Sequence, residues 1–234
     1  MNPLIAIVAV IGSIPIVAFI AIGIYLVYLS DKKRTEALQQ YAQSHGLVFE
    51  GQMTELGQWV QGFKLFNQGR SRLLKNVMRG AKERASLGLG DYEYTTGSGR
   101  NTTIHRQTVC VVRHPGLAVP HFFLRRQLPF FDAIGKLFGG QDLNFDEDPA
   151  FSKAFVLQTS GHESEVRRYF NERARAHFTA LAEKYVQVEA VGDTLLLHYG
   201  KRLDVKALDG LVADAVNTAR LWAGEEPSSG AGRR

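Results

Sequence analysis

The sequence predicts an α+β protein with one N-terminal transmembrane helix, followed by a mostly antiparallel sheet and two long amphipathic helices near the C-terminus. Three observations lead to this prediction. Residues 1–30 contain no charged residue and no histidine. The strand-like segments come in hairpins, without the alternation of strand and helix that is typical of parallel sheets. The last third of the chain shows the 3.6-residue hydrophobic period of amphipathic helices.

The first element is an apolar run over residues 4–28, and about 20 such residues suffice for a helix that crosses a bilayer. A cleaved signal peptide is the alternative, but it would need a basic N-terminal region and a small-residue cleavage site. Lys32, Lys33 and Arg34 follow directly, and basic residues beside a membrane helix tend to stay in the cytoplasm. We therefore expect a retained anchor with its N-terminus outside and the rest of the chain in the cytoplasm.

The central region combines short β-like segments with turn-forming residues. The sequence Gly-Ser-Gly-Arg-Asn at 97–101 separates two such segments and predicts a hairpin. Predicted strands lie at 47–51, 71–80, 89–96, 102–112, 117–127 and 151–159, and predicted helices lie at 31–46, 54–63 and 129–140.

Residues 162–184 and 204–222 carry the clearest helical pattern. In the first of them, Val166, Phe170 and Phe178 recur at helical spacing, as expected for a helix with one buried face. A Val-Gly-Asp turn between the two helices joins two apolar segments and predicts a second hairpin. The predicted organisation is an anchor at 1–30, a cytoplasmic α+β domain at 31–222 and a disordered tail at 223–234.

The overall composition is that of a globular protein, with 45% hydrophobic and 22% charged residues among 234. It excludes a collagen, a disulfide scaffold, a multi-pass carrier and a wholly disordered chain. The lone Cys110 stands in the apolar run TVCVV, which predicts a small buried hydrophobe rather than a nucleophile.

Basic residues are concentrated in residues 64–84, where seven of them stand against one acidic residue. Together with the basic residues after the anchor, they predict contact with anionic lipid headgroups, while a solvated strand face is the plainer alternative. Nucleic acid is not expected as a partner, because no nucleic-acid fold signature accompanies these residues. The predicted lipid-binding residues are Lys32, Lys33, Arg34, Arg70, Arg72, Lys75, Arg79, Lys82 and Arg84.

No catalytic signature, metal site or cofactor motif is predicted. Asp142, Asn144 and Asp146 are spaced like the first ligands of an EF-hand, but Glu147 stands where glycine is needed and Lys153 where a bidentate glutamate is needed. An acidic turn with Asp or Asn caps is the better interpretation. The glycine-rich stretches lack a phosphate-loop pattern, and the seven histidines have no close metal spacing.

Two motifs support a family resemblance. The segment DYEYTTGSGRN at 91–101 and the segment FGGQDLNF at 138–145 resemble a group of uncharacterised bacterial single-pass membrane proteins with a DYxYTxGSG[KR] hairpin and an FGxQD[IL]xF segment. The resemblance implies a bacterial inner-membrane location and brings no activity with it. The residues that match the pattern are Asp91, Tyr92, Tyr94, Arg106, Gln107, Gln141 and Asp142.

The function expected from these observations is an interaction module that binds a protein partner at the inner membrane and contacts anionic lipid. The alternative is an enzyme for a membrane-associated substrate, with a site near Arg106, Asp142 and His121. A third interpretation is a homo-oligomer, for which Ala9 and Ser13 provide a weak small-residue spacing.

Overall fold

The structure is a computed structural model. It describes residues 3–53, 60, 62–82, 84–127, 141–159, 161 and 163–225, without the side chains of residues 3–17, 53 and 141. The predicted helix at 129–140, most of the one at 54–63 and most of the predicted tail lie outside the described residues.

The described residues form a nine-stranded sheet, and the α-helices bounded below pack on one face of it. The strand order is β1-β2-β3-β4-β9-β8-β5-β7-β6, and every neighbouring pair is antiparallel. The helices are α1 (Pro3–Ser44), α2 (Pro149–Ala154), α3 (Glu163–Tyr169), α4 (Glu172–Leu181) and α5 (Leu208–Trp222). The strands are β1 (Val48–Met53), β2 (Arg70–Lys82), β3 (Ala85–Thr96), β4 (Thr103–Arg113), β5 (Val119–Arg126), β6 (Gln141–Leu143), β7 (Phe155–Thr159), β8 (Gln187–Gly192) and β9 (Thr194–His198).

The α+β class and the antiparallel sheet agree with the sequence prediction, but the transmembrane helix does not. Among the residues that the structure describes, no helix is both long and apolar enough to cross a membrane. The apolar residues 18–28 of α1 lead directly into the charged residues Asp31, Lys32, Lys33 and Arg34 of the same helix. The helix then runs on through 31–44, which packs on the sheet. The predictions of a transmembrane anchor, a single-pass inner-membrane location and an N-terminus-out orientation are therefore wrong.

The helix predicted at 162–184 is in fact two helices, α3 and α4. The break lies where the side chain of Asn171 accepts a hydrogen bond from the backbone amide of Ala174 at 3.0 Å. An asparagine that caps a helix in this way starts a new helix instead of continuing the old one. The hydrophobic period continues through the break, which is why the pattern alone predicts one helix.

The strand predicted at 151–159 is shorter than expected, because its first residues form α2. Asp148 accepts a hydrogen bond from the amide of Phe151 at 3.0 Å, and Pro149 occupies the first turn. A capping aspartate followed by proline is a common helix start. The predicted acidic turn with an Asp cap is therefore observed at Asp148, although it caps a helix.

The two faces of the sheet carry separate hydrophobic clusters. The helix face, which includes Leu89, Cys110 and Leu197, packs against buried residues of all five helices. The second face, which includes Tyr92 and Leu196, packs under a 3₁₀ turn at Lys64–Asn67. Alternate residues of one strand thus pack into different hydrophobic clusters, one on each face of the sheet.

A buried glutamate holds the 3₁₀ turn on the second face. Glu189 of β8 is 1% exposed, and its carboxylate accepts hydrogen bonds from the backbone amides of Lys64 at 2.8 Å and Leu65 at 3.3 Å. Its Oε1 also lies 2.8 Å from Nε2 of His121. These contacts satisfy a carboxylate that would otherwise be costly to bury.

Stability is expected to fall as the pH is lowered, because of His198 at the end of β9. Burial lowers its pKa from 6.5 to about 4, and its Nδ1 accepts a hydrogen bond from the amide of Gly200 at 3.1 Å. Between these two values the unfolded chain binds a proton that the folded chain does not, so this stability is complete above pH 6.5 and is lost as the pH falls toward 4. Urea unfolding at several pH values measures the slope.

The variant His198→Asn keeps a hydrogen-bond acceptor but does not titrate, so its stability should change less over this range than that of the wild type. Ile104→Ala, at an exposed side chain that does not titrate, serves as the control and should keep the wild-type slope. Equal slopes for His198→Asn and the wild type would contradict the assignment.

Candidate functional site

The C-terminal end of α1 is docked on the sheet, whereas residues 18–28 of the same helix are exposed. Leu38, Tyr41 and Ala42 are buried in the helix-face core. Upstream of them, residues 18–28 are exposed at every position. One continuous helix thus contains both an exposed stretch and a docked end.

The docked end is fixed by a buried ion pair. Arg34 donates from Nε to Oδ2 of Asp91 and from Nη2 to Oδ1, both at 2.7 Å. The two side chains are only 11% and 12% exposed. A bidentate pair between a guanidinium and a carboxylate fixes distance and orientation together, so it sets both the position and the rotation of α1 on the sheet.

Asn76 and Thr108 complete the coordination of Asp91. The amide of Asn76 donates to Oδ2 at 3.0 Å, and the hydroxyl of Thr108 donates to Oδ1 at 3.0 Å. Arg34 also donates from Nη1 to the carbonyl of Leu203 at 2.7 Å. We call Arg34, Asn76, Asp91 and Thr108 the docking cluster. It links α1, β2, β3 and β4 to the segment that leads into α5.

A bulge in β2 aims Asn76 at this cluster. The register between β2 and β3 shifts between Lys75 and Met78, and Asn76 has a left-handed φ of 53°. Asparagine tolerates this conformation better than most residues, and bulges redirect side chains in this way. As a result, Asn76 also accepts a hydrogen bond from the hydroxyl of Thr35 on α1 at 2.9 Å.

Asp91 remains ionised over the ordinary pH range. Burial alone would raise the pKa of this carboxyl, but the hydrogen bonds and charge of Arg34, with Asn76 and Thr108, outweigh burial and lower it below 3.8. The cluster is therefore a charged and fully hydrogen-bonded connection between helix and sheet.

A polar cleft lies beside the docking cluster, between α1 and the helix face of β2, β3 and β4. Its volume is about 220 Å³. Two ion pairs border it: Arg202 donates to Oδ1 of Asp31 at 3.0 Å, and Arg106 donates to Oε2 of Glu93 at 2.8 Å. Lys75, which is half-buried, also lines it.

The predicted lipid-binding residues differ in their surroundings. Arg34 is in the docking cluster, Arg79 lies 3.1 Å from Glu50, and Arg84 lies 3.2 Å from Glu225. The guanidinium groups of two others donate to backbone carbonyls, Arg70 to Gly97 and Arg72 to Phe66. Among the described residues, the predicted ones that stay exposed with neither an ion pair nor a side-chain hydrogen bond are Lys32, Lys33 and Lys82.

The three residues of the alternative enzyme site do not converge. Arg106 lies on the helix face beside the cleft, paired with Glu93. His121, on β5, contacts Glu189 on the second face. Asp142, on β6, accepts a hydrogen bond from Gln158 at 2.7 Å. In the sheet, β9 and β8 lie between β4, which carries Arg106, and β5, which carries His121. The three side chains therefore do not line one site.

Metal binding finds no support in the described part of the chain. Nowhere in it do three or more His, Cys, Asp or Glu residues gather in a way that could hold an ion. Cys110 is buried, and burial raises the pKa of its thiol.

The exposed residues 18–28 of α1 are strongly apolar. Its large side chains are between 55% and 79% exposed. Successive residues of a helix are about 100° apart, so these side chains surround the helix and do not form a single stripe. We call residues 19–28 the apolar segment; its large exposed side chains are Phe19, Ile20, Ile22, Ile24, Tyr25, Leu26, Val27 and Tyr28.

The comparisons with known proteins identify a related fold. No protein-family model and no curated protein matches this chain. Among solved structures, it resembles the mycobacterial trehalose monomycolate transport factor A, TtfA, with a TM-score of 0.54 and 13% sequence identity. The match covers 84% of this chain and 98% of that one. At this identity the likeness shows that the two chains share a fold.

Proposed function

We propose that the protein is an interaction module that binds a protein partner through the apolar segment of α1. The observation that supports this most directly is that segment's exposure. Soluble chains rarely present large contiguous apolar surfaces unless another molecule covers them. Because the apolar side chains surround the helix, the partner must enclose the segment rather than contact one side of it.

The connection between the segment and the sheet favours a partner of defined shape. Arg34 lies six residues beyond Tyr28 in the same helix, and its bidentate pair with Asp91 fixes the rotation of that helix. A segment held in one orientation loses little conformational freedom on binding. Such preorganisation benefits a protein partner, whereas a fluid lipid surface does not require it.

The structural neighbour is compatible with this proposal. TtfA is named as a transport factor for trehalose monomycolate, and the fold supports an accessory role of the same general kind for this chain. The separation of Arg106, His121 and Asp142 also favours an interaction module over an enzyme.

Site-specific photo-crosslinking of the full chain in its native cells tests the proposal. A photoreactive residue in place of Leu26, which is 59% exposed, should give one discrete protein adduct. The same residue in place of Ile104, which is 51% exposed on β4, is the matched control and should not give it. Ile22→Asp should abolish the adduct, because a charge in an enclosed apolar contact is costly.

The partner must then bind in purified form. The wild type and the Ile104→Asp control should bind it equally, and Ile22→Asp should bind at least tenfold more weakly. Equal binding of Ile22→Asp would contradict the proposal. So would adducts to lipid alone, together with binding to phosphatidylglycerol vesicles that depends on Lys32 and Lys33, since that result would assign the segment to a lipid surface.

A further inference from the structure

We infer that the polar cleft beside the docking cluster binds a neutral polyhydroxylated molecule about the size of one sugar ring. This inference is independent of the proposed partner, because it concerns the helix face of β2, β3 and β4 and not the apolar segment.

The charge of the cleft lining is balanced. Three cations line it, Lys75, Arg106 and Arg202, and three carboxylates, Asp31, Asp91 and Glu93. A ligand of either charge would therefore meet as many like charges as opposite ones. A neutral ligand avoids that repulsion.

The lining still offers both donors and acceptors. Arg106 uses Nε toward Glu93, and Arg202 uses Nη2 toward Asp31, so each guanidinium retains further N–H groups. Each of those carboxylates has a second oxygen outside these bonds. A hydroxyl group both donates and accepts, so it can bridge a carboxylate and a cation in a way that an ammonium or a phosphate cannot.

Lys75 is the cation best placed to bind such a ligand. It is half-buried in β2 and opposite Asp91 in the register of β2 and β3. Asp91 is already occupied by Arg34, Asn76 and Thr108. Within the described residues, Lys75 forms neither an ion pair nor a side-chain hydrogen bond, in contrast to the other two cations.

The size of the cleft limits the ligand. A volume of about 220 Å³ corresponds to roughly seven waters, at about 30 Å³ each in the liquid. That space suits one six-membered sugar ring or a cyclic polyol. Such a group can arrive as a free sugar or as the headgroup of a glycolipid, and the cleft begins at Asp31, three residues after the apolar segment ends.

Titration of the full chain with methyl glucoside and with myo-inositol, followed by amide chemical shifts, tests the inference. Saturable shifts should be confined to the residues around Lys75, Glu93 and Arg202. The dissociation constant should be the same at low and high salt, because a neutral ligand is not screened. Lys75→Met should weaken binding about tenfold, the usual effect of losing a hydrogen bond to a charged group.

The matched control is Lys82→Met, which changes an exposed lysine of the same strand outside the cleft. It should bind like the wild type, and both variants should first be shown to keep the wild-type unfolding midpoint. If Lys75→Met is unstable, Lys75→Gln replaces it, and its binding should recover part of the loss because an amide still donates.

Three results would overturn the inference. The first is no saturable shift with either probe up to 50 mM, on the order of the weakest specific affinities. The second is equal binding by Lys75→Met and Lys82→Met, and the third is tighter binding of phosphate or succinate than of both neutral probes. A comparison of hexyl glucoside, below its micelle concentration, with methyl glucoside separates the two sources. Binding more than tenfold tighter supports a glycolipid headgroup, and equal binding supports a free sugar.

Discussion

Asp91→Asn is expected to lower the free energy of unfolding by about 3–5 kcal/mol, the usual cost of removing one partner of a buried ion pair. The reason is that Arg34, 11% exposed, would keep its charge in a site that no longer holds a carboxylate. The asparagine preserves size and one acceptor oxygen, so the change tests charge and not packing. Urea unfolding at neutral pH measures the difference.

The matched control is Glu93→Gln, two residues further along β3. Glu93 also pairs with an arginine, but Arg106 is 53% exposed, and exposed pairs contribute about 0–1 kcal/mol. A loss as large as that of Asp91→Asn would mean that the measurement reports the charge of the sheet in general and not the docking cluster.

Replacing both partners distinguishes an unpaired charge from a lost attraction. In Arg34→Met with Asp91→Leu, no charge remains buried, and such replacements are often neutral or stabilising. The double variant should therefore be more stable than Asp91→Asn alone. Amide exchange should also accelerate around Leu38 and Ala42 in the single variant, because the docking of α1 is weakened. Unchanged exchange there would contradict a docking role for the pair.

Sequence reasoning singles out two residues of the docking cluster, Arg34 and Asp91, but not their role, and it misses Asn76 and Thr108. The sequence predicts lipid contact for Arg34 because it follows an apolar run, and it places Asp91 only within a motif. The two are 57 positions apart, and no local pattern relates them. One signal could have helped. Asp91 alternates with the apolar Leu89 and Leu87 on the same face of a predicted strand, and a carboxylate on a buried face requires a partner.

The elements were predicted better where the pattern is local. The hairpin at 97–101 is recognisable because Gly97 has a left-handed φ of 74°, which glycine supplies readily. The order of the strands cannot be predicted from such local patterns. In the sheet, β4 pairs with β9, and β5 pairs with both β7 and β8. These pairings join segments distant in the chain, and hydrophobic alternation shows which face is buried but not which strand lies next to it.

The other large effect is expected at Phe170, the turn residue between α3 and α4. Phe170→Ala should lower the free energy of unfolding by about 3–5 kcal/mol, because truncation of a buried aromatic loses both burial and packing. The ring is 0% exposed and lies in the middle of an aromatic cluster. Its ring-centroid distances are 5.0 Å to Phe122, 5.7 Å to Phe178, 5.7 Å to Trp222, 5.9 Å to Phe151 and 6.4 Å to Phe145.

This cluster connects the helices to the far half of the sheet, so the loss should be felt by the whole fold. Phe122 belongs to β5, Phe178 to α4 and Trp222 to α5, and they share Phe170 as a common neighbour. With a typical total of about 5–15 kcal/mol for a folded protein, a loss of this size removes a large fraction. Urea unfolding followed by tryptophan fluorescence measures it, because Trp222 reports the same cluster.

Two further variants make the result specific. Phe170→Leu retains most of the apolar volume and should lose clearly less than Phe170→Ala. Ile104→Ala removes a side chain that is 51% exposed and should change stability by less than about 0.5 kcal/mol, as for most surface substitutions. If Phe170→Ala cost no more than Ile104→Ala, the helices would not depend on this ring, and the aromatic cluster would not be what joins them to β5.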